Sequence, residues 1–117
     1  MKSDRRFQVW EYQMSHGMLL VRSSRSPEQA TNIDLLFVGV EYMDLPSSMD
    51  GLELDAPTTI ELSHLAARTG KPIAAPAVTM LVTGGGRFTV VATTITVSEN
   101  DWDIFASPIE FRSQHRE

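Results

Sequence analysis

The chain of 117 residues contains no cysteine, and this absence removes several classes of site at once. A disulfide framework, a thiolate zinc site, an iron–sulfur cluster and a cysteine nucleophile all require the missing side chain. The lack of cysteine also fits a reducing compartment, so we expect a cytoplasmic protein. No apolar stretch follows the basic residues near the start, and a signal peptide is therefore not predicted.

Long uninterrupted apolar runs are missing as well. The longest stretch without a charged residue lies near residues 73–86, and proline, threonine and glycine interrupt it. A membrane-spanning segment is therefore not predicted. With 42% apolar and 21% charged residues, the composition is that of an ordinary globular domain. We expect a single domain over residues 1–117, with short flexible termini at about 1–5 and 113–117.

Cations are absent from one long stretch. Residues 28–61 contain eight acidic side chains and no lysine or arginine. Residues 1–27 carry five basic and two acidic groups, residues 62–117 carry five of each, and the whole chain has a net charge of −5. An acidic surface repels phosphate backbones, which disfavours nucleic-acid binding. The same surface would favour a basic protein partner.

Most segments show the alternation or the β-branched composition that is typical of strands. The predicted strands cover residues 7–14, 18–23, 32–43, 52–54, 77–83 and 88–97, with two shorter segments around Trp102 and Ile109. Residues 32–43 are apolar on both faces, which predicts a central strand that is covered on both sides. The apolar phase of residues 88–97 changes midway, which indicates a bulge near residues 92–93.

One segment predicts a helix, over about residues 58–69. Thr58 and Glu61 have the spacing of a capping box, and Gly70 stands where a left-handed residue commonly ends a helix. The predicted fold is mainly β (α+β): a curled antiparallel sheet or small β-barrel of about seven strands, with this short helix as its plug.

The usual signatures of chemistry are absent. His16, His64 and His115 are about fifty residues apart, so no metal-ligand spacing occurs. No Gly-x-Ser-x-Gly elbow exists, and Gly84–Arg87 lacks the Lys-Ser/Thr ending of a phosphate loop and reads as a hairpin turn. Asp50–Asp55 does not match the spacing of an EF-hand. We therefore predict no catalytic residue, no metal site and no cofactor.

The first functional hypothesis is a small non-catalytic domain that uses its acidic segment, residues 28–61, to engage a basic protein partner, as immunity or adaptor proteins do. Charge and size alone support this analogy. Acidic side chains would steer the partner and two larger ones would anchor it. The predicted partner-binding residues are Tyr42, Met43, Asp44, Asp50, Glu53 and Asp55.

The alternative hypothesis is a ligand-binding or enzymatic β-barrel. Its mouth would lie near His16, Arg22 and Gly84–Arg87 and would face an anionic small molecule. The residues assigned to this site are Trp10, His16, Arg22, Arg25 and Trp102. A homodimer is a further possibility, because the chain has two lysines to protect the edges of its sheet.

Overall fold

The computed structural model describes residues 1–103 and 106–109. Within them the chain forms eight strands and one α-helix, with short 3-10 turns at Met14–His16 and Ala75–Ala77. The elements are β1 (Lys2–Gln13), β2 (Met18–Ser23), β3 (Asn32–Val38), β4 (Tyr42–Asp44), β5 (Ser48–Asp55), α1 (Thr59–Thr69), β6 (Val78–Thr83), β7 (Gly86–Val91) and β8 (Thr94–Asn100).

The strands form a single antiparallel sheet in the order β4-β7-β6-β5-β1-β2-β3-β8. β4 and β8 are its two ends and do not pair with each other, so the sheet is curled and not closed. This confirms the predicted class, a mainly β domain with a curled antiparallel sheet and one short helix.

Two predicted strands are each divided in the structure. Residues 32–43 form β3 and β4 with a break at Gly39, and residues 88–97 are divided between β7 and β8 near Thr93. The two segments cross at these breaks, where the Thr93 N–H donates to the carbonyls of Val38 and Gly39. Gly39 has a φ of 73°, and a Cβ at this position would collide with the Thr93 side chain. Glycine is therefore needed where the segments cross.

The inner face of the sheet holds the main hydrophobic core. Along β2, β3, β6 and β7, alternate side chains point into this core, and the side chains between them point to the outer face. Parts of the outer face are also covered, so these strands are apolar at successive positions. The buried members are Phe7, Leu19, Val21, Leu35, Phe37, Met49, Leu52, Leu81, Val90 and Ala92.

The helix does not plug this interior, contrary to expectation. Leu65 of α1 packs against Val78, Met80 and Val91, which lie on the opposite face of the sheet from the main core. On the same outer face of the sheet, Met18, Leu20 and Leu36 pack against Ile109. The outer face is thus covered by α1 over β6 and β7 and by Ile109 over β2 and β3.

The ends of α1 follow the sequence signals. The Thr58 hydroxyl accepts a hydrogen bond from the Glu61 amide, and the Glu61 carboxylate accepts one from the Thr58 amide. Gly70 has a φ of 76° and donates its N–H to the carbonyl of Ala66. The predicted capping box and helix end are confirmed.

The chain ends differ from expectation. β1 begins at Lys2, and the guanidinium of Arg5 is hydrogen-bonded to Ser23 and Thr31, so residues 2–5 belong to the sheet. Residues 101–103 form no strand, and residues 108–109 are helical. The predictions for Ile104, Phe111 and residues 113–117 lie outside the described residues. No helix in the described part of the chain is long and apolar enough to cross a membrane.

Candidate functional site

A groove of about 520 Å³ lies between α1 and the sheet beneath it. The capped start of α1 and the hydrophobic contacts of Leu65 fix the helix over β4, β7 and β6. Polar side chains from the helix and from the strands then face one another. The residues that line the groove are Tyr42, Asp44, Glu61, His64, Leu65, Ala67, Arg68, Met80, Arg87 and Thr89.

Arg87 joins the start of the helix to the sheet. Its guanidinium donates to both oxygens of Glu61, at 2.7 and 3.0 Å, and to Asp55 at 2.9 Å. The hydrogen bond from Arg87 is the main reason that the pKa of Glu61 falls to about 2, from an ordinary value of 4.5. Arg87 lowers the pKa of Asp55 in the same way. At this end of the groove, one guanidinium therefore holds two carboxylates in fixed positions.

At the other end of the groove, the charged side chains form fewer hydrogen bonds and ion pairs. Arg68 donates to the Tyr42 hydroxyl at 3.1 Å, and Tyr42, followed by the nearby Asp44, raises the pKa of Arg68. The Asp44 carboxylate has neither a hydrogen bond nor an ion pair with any described residue. A free carboxylate on β4 therefore faces the same space as a guanidinium on α1.

The predicted partner-binding residues lie in two groups. Tyr42, Met43 and Asp44 form β4, at one end of the sheet, and the side chains of Tyr42 and Asp44 line the groove. Asp50, Glu53 and Asp55 lie on β5, from which β7 and β6 separate β4. Asp55 reaches the groove indirectly, through its contact with Arg87.

The acidic stretch does not form one acidic surface. Asp34 is fully buried against Arg22, Glu41 binds Lys71 at 2.7 Å, and Asp55 and Glu61 share Arg87. These cations come from outside residues 28–61, so folding neutralises much of a charge that the sequence shows as continuous. Asp44 and Glu53 are the members of the segment for which the described residues provide neither an ion pair nor a hydrogen bond.

The residues of the alternative ligand site are distributed differently. The Arg22 guanidinium lies 5.5 Å from the centre of the Trp10 ring and is fully buried. It donates to both carboxylate oxygens of Asp34, at 2.6 and 3.0 Å. Since this guanidinium is shielded from solvent, it is not available to a ligand that enters from outside.

Polar side chains extend this buried ion pair along β3 and β8. Asn100 donates to Asp34 at 2.8 Å, and Asn32 donates to the Asn100 side chain and to the carbonyl of Trp102. The Arg25 amide donates to the Asn32 side chain. Trp10, Arg22, Arg25 and Trp102 therefore belong to one region, which acts as a structural network on the outer face of the sheet.

The proposed mouth of the barrel is not assembled at one place. His16 lies in the turn at the Gln13 end of β1, whereas Gly84 and Gly85 turn the chain near the Lys2 end of that strand. Ten buried apolar side chains fill the interior between these ends. The candidate site is therefore the external groove beside α1.

Sequence reasoning did not place Glu61, His64, Arg68 and Arg87 in one site. The sequence predicts Glu61 as part of a helix cap, His64 as a histidine without a metal-ligand spacing and Arg87 as the end of a hairpin turn. Each local interpretation is compatible with the structure, but Glu61 and Arg87 are 26 residues apart along the chain. Their meeting depends on the path of the sheet, and no local pattern carries that information.

Comparison of the chain with protein-family models, with curated proteins and with solved structures finds no match. Within residues 1–103 and 106–109, no group of three or more histidine, aspartate or glutamate side chains is placed to hold a metal ion. The functional argument consequently rests on the geometry of the groove.

Proposed function

We propose that this protein is a small non-catalytic binding domain that holds a basic segment of a partner protein in the groove between α1 and β4. The observation that carries the proposal is the Asp44 carboxylate, which lines the groove without a direct hydrogen bond or ion pair to a described residue, whereas Glu61 is bound to Arg87. An incoming lysine or arginine would form a direct ion pair with Asp44, in addition to the weaker attraction of the nearby Arg68. The absence of cysteine supports a cytoplasmic setting for this function.

The surroundings of Asp44 suit a protein segment. Tyr42, two residues before it on the same face of β4, also lines the groove and offers an aromatic ring beside the charge, whereas Met43, which is 40% exposed, does not line the groove. The far edge of β4 pairs with no strand among the described residues, so its backbone groups can take an extended peptide. The groove thus combines a charge, an aromatic side chain and a strand edge.

The groove is also preorganised. Arg87 holds the N-terminal turn of α1 against β5 and β7, and Lys71 binds Glu41 just beyond the helix. A partner that enters a fixed groove loses less free energy in ordering the protein. Glu61, with both oxygens bound to Arg87, is committed to this architecture and is a poor candidate for a general base.

Affinity capture with charge-reversed variants tests the proposal. Asp44→Lys should abolish capture of the partner, because it puts a cation where the partner's cation would lie. Asp4→Lys is the matched control, since it makes the same charge change on an exposed residue of β1, outside the groove. Raising the salt from about 0.05 to about 0.5 M should release the partner from the unmodified protein.

Two results would contradict the proposal. One is a partner that binds the Asp44→Lys and Asp4→Lys variants equally well. The other is a complex in which amide hydrogen exchange slows at neither β4 nor α1, because a peptide in the groove must cover both.

Self-association is a second candidate, and β8 favours it. This strand of seven residues lies at the end of the sheet, and the described residues leave its outer edge unpaired. It contains no lysine, arginine or proline, which are residues that commonly protect such edges. Val97→Lys should weaken any dimer in sedimentation experiments, whereas Val9→Lys, on the internal strand β1, should not. A monomer at all concentrations would exclude this candidate.

A further inference from the structure

A second pocket lies on the outer face of the sheet, away from the groove beside α1. It has a volume of about 450 Å³ and lies where β1 meets the start of β5. The residues that line it are Arg6, Gln8, Val9, Trp10, Ser47 and Ser48.

The pairing of β1 with β5 explains why these side chains meet. Arg6 and Gln8 are two residues apart on β1 and therefore share a face. Ser48 lies directly opposite Gln8 in the register of the two strands. The Val9 N–H donates to the carbonyl of Ser47 at 2.9 Å, which holds the residue before β5 against β1.

Trp10 joins the group through an irregularity in the sheet. The register between β1 and β2 shifts between Val9 and Glu11, so Trp10 lies at a bulge. Its ring lies 5.5 Å from the buried guanidinium of Arg22, which anchors the indole beside the pocket. A large flat apolar surface thus stands next to a row of polar side chains.

Each of the four polar side chains of this pocket can donate a hydrogen bond, and one of them, Arg6, is a donor alone. The side chains of Gln8, Ser47 and Ser48 form no hydrogen bond with any other described residue. Arg6 has one acidic neighbour, Asp50, at 4.0 Å, and their side chains are 62% and 84% exposed. An ion pair this long and this exposed contributes little, so a bound anion can replace it.

We propose that this pocket binds a small aromatic phosphate. Arg6, Gln8 and the two serine hydroxyls can donate to the three terminal oxygens of a phosphate group, whereas a carboxylate has two oxygens to offer them. The aromatic ring of the ligand lies against Trp10 and Val9. This site is independent of the groove beside α1 and of the partner proposed for it.

Titration of the intact protein with phenyl phosphate tests the site, with tryptophan fluorescence and backbone amide shifts as readouts. Arg6→Gln should weaken binding about tenfold or more, since a hydrogen-bonded charge pair is lost. Lys2→Gln, which removes the same charge from the same strand outside the pocket, should change the dissociation constant less than about twofold. Asp50→Asn should tighten binding, because it removes the carboxylate that competes for Arg6.

Three outcomes would overturn the proposal. Equal weakening by Arg6→Gln and Lys2→Gln would show diffuse attraction to a basic surface. Binding of inorganic phosphate as tightly as phenyl phosphate would remove the role of Trp10. A fluorescence signal that does not saturate by about 10 mM phenyl phosphate, with amide shifts absent around Gln8 and Ser48, would show that the site does not exist.

Discussion

The buried ion pair between Arg22 and Asp34 gives the sharpest test of how this fold is held together. Both side chains are fully buried, and Asp34 accepts hydrogen bonds from Arg22 at 2.6 and 3.0 Å and from Asn100 at 2.8 Å. Asp34→Asn keeps the shape of the side chain but leaves the Arg22 charge uncompensated in the interior. Loss of one partner of a buried pair costs about 3–5 kcal/mol.

That loss is large for a domain of this size. A total unfolding free energy of about 5–15 kcal/mol is usual, so the variant retains a fraction of the original stability. At about 4 °C per kcal/mol, the midpoint of thermal unfolding should fall by about 12–20 °C. Urea unfolding followed by circular dichroism measures the free energy directly. Glu41→Gln, which breaks the exposed pair with Lys71, is the control and should cost less than about 1 kcal/mol.

A double variant separates loss of the pair from loss of shape. Arg22→Met with Asp34→Leu removes both charges, and an apolar pair of similar volume can replace a buried ion pair at little cost. Asn100 then lacks its acceptor, so the double variant should remain about 1–3 kcal/mol below the wild type. The reasoning is refuted if Asp34→Asn costs no more than Glu41→Gln, or if the double variant is no more stable than Asp34→Asn.

Three further predictions concern the helix and the crossing. The pKa of Glu61 lies near 2 in the folded protein and near 4.5 otherwise; its stabilising contribution is therefore complete above pH 4.5 and is lost as the pH falls toward 2, and urea midpoints should fall less over this range in Glu61→Gln than in the wild type. Thr58→Ala should cost about 1 kcal/mol in urea unfolding through loss of the helix cap, whereas Thr59→Ala should cost much less. Gly39→Ala should cost more than about 2 kcal/mol, because it combines a positive φ with a collision against Thr93, and adding Thr93→Ala should restore part of the loss.

Local signals predicted local structure well. The ends of α1 followed from Thr58, Glu61 and Gly70, because a helix cap is specified by residues within one turn. The phase change in residues 88–97 indicated an irregularity near residues 92–93, although it predicted a bulge within one strand and not the end of β7 and the start of β8. The break at Gly39 did not follow, because an apolar run looks the same whether a strand continues or changes partner. A glycine in the middle of such a run was the available indication.

Contacts between charged residues that are distant in the chain were harder still to predict from local patterns. Arg22 reads as a polar group at the end of a short apolar strand, and Asp34 as a charge at the start of another. That they form an ion pair depends on the register of β2 and β3, which places the two residues opposite each other. The acidic segment was similarly visible as a run along the chain, but its charge depends on Arg22, Lys71 and Arg87, which approach it through the sheet. The charge of a protein surface can therefore be predicted from a run of charged residues once the strand pairing is known.

The crossing at Gly39 and Thr93 also has a consequence for how the chain folds. β3 pairs with β8 and β4 pairs with β7, and the partners range from Asp44 with Thr89, 45 residues apart, to Asn32 with Asn100, 68 residues apart. The β1–β2–β3 and β5–β6–β7 meanders pair strands that follow one another in the chain. The β3–β8 and β4–β7 pairs form a seam between the two meanders, and this seam forms after both meanders exist. Pairing so distant in sequence makes folding slow for a domain of this length. Opening the seam would free one side of both meanders together, so the pairing that completes the sheet also joins its two halves.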